Sequence, residues 1–203
     1  NGLFYTSNTG QTWANSNITS DYINSVALYS NGSNGIAASV SNNGIYYTAN
    51  SGANWTRSTL IDGTTLITGD FYSVAITPNS TKGIAGSASS NGIYYTTNSG
   101  ATWTRATDGA TPTQNPITGN FYSVSISSDG TKGIAGSASD AGIYYTTTSG
   151  ATWAQSNIIT GDFSSVSLSS DGTKGIAGSA SNLGLYYTAN SGGIWTRSTL
   201  IDG

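Results

Sequence analysis

The chain has 203 residues, a net charge of −3 and 7% charged residues, where an ordinary soluble domain carries roughly 25%. It has no Cys and no His, and all nine acidic residues are Asp, so the usual ligands of zinc and iron are missing, as are Ser-His-Asp and Cys-His nucleophiles. Six scattered Lys and Arg do not form the cation cluster that nucleic acid needs, and no apolar run nears the roughly 20 residues of a membrane span. No cofactor, metal, nucleic acid or membrane insertion is therefore expected.

Low charge alone would suit a disordered chain, but aromatic residues make up 11% and recur at fixed places, which disordered segments lack. With Gly, Ser, Thr, Asn and Tyr dominating, order is expected from strands.

Five copies of one segment run along the chain. Thr6, Asn8, Gly10 and Trp13 recur as Thr48, Asn50, Gly52 and Trp55, then as Thr96, Asn98, Gly100 and Trp103. The fourth copy is Thr146, Thr148, Gly150 and Trp153, and the fifth Thr188, Asn190, Gly192 and Trp195. The Trp residues stand 42, 48, 50 and 42 positions apart, so the unit is about 42 residues, with inserts at 64–69 and 108–119. Residues 1–16 hold half a unit, and 22–61, 71–108, 121–157 and 163–200 hold four whole ones within a single repeat domain, 1–203.

Each whole unit predicts four strands. The first (22–28, 71–76, 121–126 and 163–168) alternates apolar and small polar residues, as in a strand with one face buried. Turns at 128–133 and 170–175, with the variants 30–35 and 78–83, come next; Asn31-Gly32, Asp129-Gly130 and Asp171-Gly172 supply the positive φ that tight hairpins need. The second strand, at 84–89 and its copies, has small residues that suit a strand between neighbouring sheets. Turns such as Asn43-Gly44 and Asn91-Gly92 lead into the third, at 45–48, 93–96, 143–146 and 185–188, and the repeated segment turns the chain into a fourth that starts at its Trp. These elements predict an all-β chain, a β-propeller of about four and a half four-stranded antiparallel blades. A β-solenoid or a stack of meanders is the alternative.

The pattern [ST]-x-[DN]-x-G-x-x-W resembles the Asp-box of the bacterial-neuraminidase-repeat (BNR) families: sialidases, sortilin-type receptors, xyloglucanases and photosystem assembly factors. The resemblance covers almost the whole chain. It implies a propeller whose box is the hairpin between third and fourth strands, with Asp accepting backbone hydrogen bonds, Gly at positive φ and Trp packed between blades. Asn8, Asn50, Asn98, Thr148 and Asn190 stand where that family has Asp; an Asn oxygen still caps the turn and does not titrate. The motif is a structural device shared by unrelated activities, so it specifies fold rather than function.

Sialidases of this type need an Arg cluster and a Tyr–Glu pair. Here Arg57, Arg105 and Arg197 occupy one repeated position, whose copies do not converge, and there is no Glu. Xyloglucanase-like hydrolysis needs two carboxyl groups across the scissile bond. The candidates are Asp21, Asp70 and Asp162, with Asn120 as the fourth copy, and Asp at a strand entrance reads first as a turn former. The chain is thus expected not to be an enzyme. The predicted function is a non-catalytic structural or adhesive propeller, secreted or at the cell surface, that self-associates through strand or blade complementation. Carbohydrate binding is the alternative, with Tyr47, Tyr95, Tyr145 and Tyr187, the second members of repeated Tyr-Tyr pairs, as platforms at blade interfaces.

Residues 1–16 supply only the third and fourth strands of a unit, so a section of a longer array, or a protomer completed by a neighbour, is expected. Asn17, Asn31 and Asn79 are glycosylation candidates by sequon, and Asn54 carries one inside a box. Few titrating groups predict nearly flat stability from neutral pH to about 3.

Overall fold

The computed structural model describes residues 2–78, 81–88, 91–138, 141–181 and 184–199. Asn79 lies outside them, as does Leu200 at the end of the last unit. Among the described residues every regular element is a strand.

The chain opens with a hairpin of β1 (Phe4–Tyr5) and β2 (Ala14–Asn15). Blade one comes next as β3 (Ile23–Leu28), β4 (Gly35–Ser39), β5 (Ile45–Thr48) and β6 (Thr56–Arg57), antiparallel in sequence order. It leads to β7 (Thr59–Leu60) and blade two, β8 (Phe71–Ile76), β9 (Gly83–Ser87), β10 (Ile93–Thr96) and β11 (Thr102–Arg105). Blade three is β12 (Phe121–Ile126), β13 (Gly133–Ser137), β14 (Ile143–Thr146) and β15 (Ala154–Gln155). Blade four is β16 (Phe163–Leu168), β17 (Gly175–Ser179), β18 (Leu185–Thr188) and β19 (Thr196–Arg197). This is the all-β propeller architecture predicted, and the sheets do not close into a ring.

Strand bounds shift slightly from the sequence reading. The first strand of blade one starts at Ile23 rather than 22, because Tyr22 donates its amide to Asp21 Oδ1 at 2.8 Å instead of to a ladder. The second strands start at the turn Gly and end two residues sooner than predicted. A bulge after the first residue of every innermost strand, as between Phe71 and Ser73, re-aims the remaining side chains of that strand.

The polar face of the innermost strands reads from sequence as solvent-facing; in the structure it faces the next blade. Ser25 Oγ accepts the Val74 amide at 3.2 Å, Ser73 Oγ the Val124 amide at 3.1 Å, and Ser123 Oγ the Val166 amide at 3.0 Å. Alternating Ser therefore satisfies backbone donors across each blade interface, where an apolar side chain would leave them unpaired.

The core is a chain of interface clusters. Ile36 and Ile45 of blade one pack with Phe71, Tyr94 and Trp103 of blade two, and Ile84 and Ile93 with Phe121 and Trp153. Ile134 and Ile143 pack likewise with Phe163 and Trp195. Within blades two to four, Phe71–Tyr94, Phe121–Tyr144 and Phe163–Tyr186 meet edge to face at centroid distances of 5.3, 5.2 and 5.4 Å.

The inserts form small hairpins pinched at the neck. Ile67 donates to the Ser58 carbonyl at 3.1 Å and Ile117 to the Ala106 carbonyl at 2.9 Å. In the short units Ile18 and Ile158 lie just two residues beyond Ser16 and Ser156, donating to their hydroxyls at 3.0 and 3.1 Å. The neck at Ser58 also lets β7 pair in parallel with β11, a fifth strand that the repeat pattern does not predict.

Candidate functional site

The repeated boxes are the most regular local structure. In the second, Thr48 Oγ1 accepts the amides of Asn50 and Gly52 at 3.3 and 3.2 Å and donates to Asn50 Oδ1 at 3.0 Å. Asn50 Oδ1 also accepts the Asn54 amide at 2.8 Å, and the Trp55 indole donates to the Gly52 carbonyl at 2.8 Å. The same bonds recur around Asn98 and Asn190, and the first box keeps them around Asn8 with a longer Trp13 bond of 3.2 Å. In the fourth, Thr148 Oγ1 replaces the amide oxygen and accepts the Thr152 amide at 2.9 Å. Besides the box Gly, the residue before it has positive φ: Thr9, Ser51, Ser99, Ser149 and Ser191, at 57° to 64°. Sequence gives no warning of this, since Ser and Thr rarely enter that region.

The box Trp side chains are buried in Trp55, Trp103, Trp153 and Trp195, and exposed in Trp13. Two of their backbones are gripped from the preceding unit: Asn17 accepts the Trp55 amide at 2.7 Å and donates to its carbonyl at 2.9 Å. Asn157 treats Trp195 in the same way. The amide nitrogen to which a glycan would attach on Asn17 is thus already used, whereas Asn31 is an exposed turn residue whose oxygen caps Ser33.

Among the described residues, most Asp carboxylates accept hydrogen bonds from nearby backbone amides and hydroxyls. Asp21 is buried and accepts from Tyr22, Ser39 Oγ and Tyr46 OH at 2.8, 2.9 and 2.8 Å. Burial alone would raise its pKa, but hydrogen bonds from Tyr46, Ser39, Asn43 and Ser41 hold it below the ordinary value. Burial and the same contact push the Tyr46 phenol up to about 12. Asp70 caps the Asn42 amide in blade one's second turn at 2.8 Å, and Asp162 donates its own amide to Ser181 Oγ at 3.0 Å. Asp62 accepts Thr64 and Thr65, and Asp108 accepts Ala110 and Asn115, each inside an insert hairpin. Asp129 and Asp171 take hydroxyls of Ser127 and Ser169, both at 2.6 Å, with Thr131 and Thr173 closing the turns.

These bonds favour the ionised form. Thr65 lowers Asp62 to about 2, Ser127 lowers Asp129 to about 2, Ser169 holds Asp171 lower still, and the Ala110 amide lowers Asp108. Five of the seven described Asp are therefore depressed when folded, more than the few paired carboxylates expected from sequence. A depressed carboxyl stabilises the fold above its unfolded value of about 3.9 and loses that contribution as pH falls toward its folded value. The melting temperature is expected to stay level from pH 8 to about 5, then to fall between about 4 and 2. Calorimetry across that range checks this; a profile still level at a pH of about 2 contradicts it.

The repeated Arg position closes linkers. Arg57 donates to the carbonyls of Asn43 and Ile67, and Arg105 to that of Ile117. Gln155, which replaces Arg in blade three, does the same to Ala141 and Ile159.

Tyr47, Tyr95 and Tyr145 are half-buried, each facing the box of the next blade. A Cβ placed on Gly100, Gly150 or Gly192 would lie 3.4, 2.9 or 2.9 Å from the Tyr Cβ beneath it. Tyr187 is more exposed and edges an open groove of about 510 Å³ lined by Ser169, Lys174, Ile176 and Thr188. On the innermost strands, Tyr72 and Tyr122 stack at 4.6 Å across adjacent blades.

No family model matches the sequence, and no curated protein matches it either. Among solved structures, an ancestral GH74 enzyme matches with a TM-score of 0.68 at 18% identity, covering 98% of this chain and 28% of that one. The GH74 xyloglucanase of Xanthomonas campestris gives 0.62 at 15%, covering 87% and 30%. YCF48 bound to D1 peptide gives 0.55 at 16%, covering 93% and 58%. These are β-propeller proteins, and at such identities the likeness shows the fold alone. The chain spans less than a third of the length of these two GH74 proteins.

Proposed function

We propose that the chain is a segment of a non-catalytic β-propeller that acts outside the cell as a structural and adhesive scaffold. The observation that carries this is the use of its carboxylates. Asp21, Asp62, Asp108, Asp129 and Asp171 each accept two or more hydrogen bonds within their own turn or strand junction, and each is shifted downward. A glycosidase's general acid needs a carboxyl held up, near neutral pH, on one side of the scissile bond. In these five the direction is opposite.

Incubation with xyloglucan and with sialylated oligosaccharides is expected to release no reducing ends and no sialic acid. Turnover that Asp70→Asn or Asp162→Asn abolishes would overturn the reading.

Carbohydrate binding without hydrolysis is the second reading, supported by Tyr187, whose exposed ring stands beside Ser169, Lys174 and Thr188 as a stacking face beside hydrogen-bonding groups. Glycan retention lost in Tyr187→Ala would favour it.

A further inference from the structure

The rim is built differently at two neighbouring blade interfaces. Between blades one and two, Leu60 of β7 pairs with Trp103 and packs against the core cluster there. Arg105 of β11 lies across from Tyr94 and donates to the Ile117 carbonyl. Between blades two and three, Asp108 stands where Leu60 does, and Gln155 where Arg105 does. A cleft of about 470 Å³ opens there, with Asp108, Thr118, Tyr144, Trp153 and Gln155 in its walls. No Lys or Arg among the described residues lines it. The two blades that form it are flanked in turn by blades one and four.

The polar groups of this cleft retain acceptor capacity. Asp108 Oδ1 accepts the amides of Ala110 and Asn115, both at 3.0 Å, and Oδ2 accepts Asn115 Nδ2 at 2.9 Å. A carboxylate has about four lone-pair sites, so Oδ2 keeps one. Gln155 commits both N–H groups to the carbonyls of Ala141 and Ile159, at 2.7 and 3.2 Å, and its Oε1 accepts nothing among the described residues. A ligand made only of donors matches such a set, and one rich in acceptors does not. The neighbouring blades show which donor suits the place. Burial raises Tyr46 and Tyr94, and the guanidinium groups of Arg57 and Arg105 offset part of that; at Tyr144 burial acts with no cation beside it. Gln155 is the shorter side chain, so blade three does not supply the guanidinium that blades one and two carry at this position.

We propose that the cleft between blades two and three binds a guanidinium group of another molecule, its N–H groups shared between Asp108 Oδ2 and Gln155 Oε1 and its plane along Tyr144. Guanidinium carries five donors and no acceptor, is weakly hydrated and lies readily against aromatic rings. A primary ammonium is a more strongly hydrated point charge and gains less from such a wall. One exposed carboxylate gives modest attraction, so a dissociation constant of about 1–10 mM is expected at low salt, rising with ionic strength.

This goes beyond the scaffold reading and does not rest on it: glycan hydrolysis would sink only that reading, and failure to bind guanidinium only this one. The test is an NMR titration of the isotope-labelled chain with methylguanidinium, with acetyl-Gly-Arg-Gly-amide, and with the same peptide carrying neutral citrulline for arginine. Saturable shifts of the Trp153 indole and the Gln155 and Asn115 side-chain amides are expected with both cations, and binding at least about tenfold weaker with citrulline. Equal constants for the two cations identify a small guanidino compound as sufficient, and a tighter peptide identifies an arginine side chain of a polypeptide; either supports the site. Gln155→Arg supplies the group from within the chain and is expected to abolish binding. Asp108→Asn keeps an oxygen for the turn and is expected to weaken binding at least about tenfold and to remove its salt dependence. No saturation by either cation, equal binding of the citrulline peptide, or undiminished binding in either variant overturns the proposal. Should one variant fail to melt cooperatively, the other carries the same required outcome.

Discussion

Trp103→Ala is expected to cost about 3–5 kcal/mol of stability, the largest effect of any single side-chain truncation here. Trp103 is fully buried in the cluster that joins blades one and two, and its indole also satisfies the Gly100 carbonyl at 2.9 Å. Removing it empties the centre of an interface and strips a hydrogen bond inside a hairpin that cannot collapse, because the Thr96 and Asn98 bonds fix it. Trp13→Ala is the internal control. It sits in the same motif but is mostly exposed in the isolated chain, so its cost there is expected to be under about 1 kcal/mol, as for surface changes generally. Urea unfolding of both variants at a concentration where the chain is monomeric makes the comparison. Equal losses would show that the box Trp stabilises its own hairpin rather than the blade interface.

Gly150→Ala is expected to cost about 2–4 kcal/mol, and Gly10→Ala about 1–2 kcal/mol, although the two backbones are nearly the same. The two glycines have φ of 87° and 88°, so an added Cβ is strained at either. At Gly150 it would also stand 2.8 Å from Ile84 Cγ2 and 2.9 Å from Tyr95 Cβ, both fixed by blade two. At Gly10 it meets nothing closer than 4.0 Å. The difference between the variants, measured by denaturant midpoint, isolates the packing share of the penalty. Equal effects would mean that backbone strain accounts for all of it.

The features legible in the sequence are local. The box, its turn Gly and its Trp announce themselves because the hydrogen bonds involved span four residues or fewer, and because the Trp spacing sets the length of the blade. The features that sequence conceals lie between blades. Ser25, Ser73 and Ser123 look like the outer residues of half-buried strands, and nothing in one strand reveals that a neighbour's amide arrives 43 to 51 residues later in the chain. The Asp residues are recognisable as turn formers, but the burial of Asp21 against Tyr46 comes from blade packing that composition does not encode. For the candidate platform tyrosines, sequence shows their repetition, while the unequal covering of Tyr187 and its three counterparts comes from position in the array.

The pinched necks at Ser58–Ile67 and Ala106–Ile117 bear on how such a chain diversifies. At each neck a backbone hydrogen bond closes the excursion, Ile67 to Ser58 and Ile117 to Ala106, and the Ile is buried. The rim is therefore a place for foreign sequence: a peptide grafted between Asp62 and Thr65 gives up the two amide bonds that Asp62 accepts, while the neck pairing of Ile67 with Ser58 lies outside the graft.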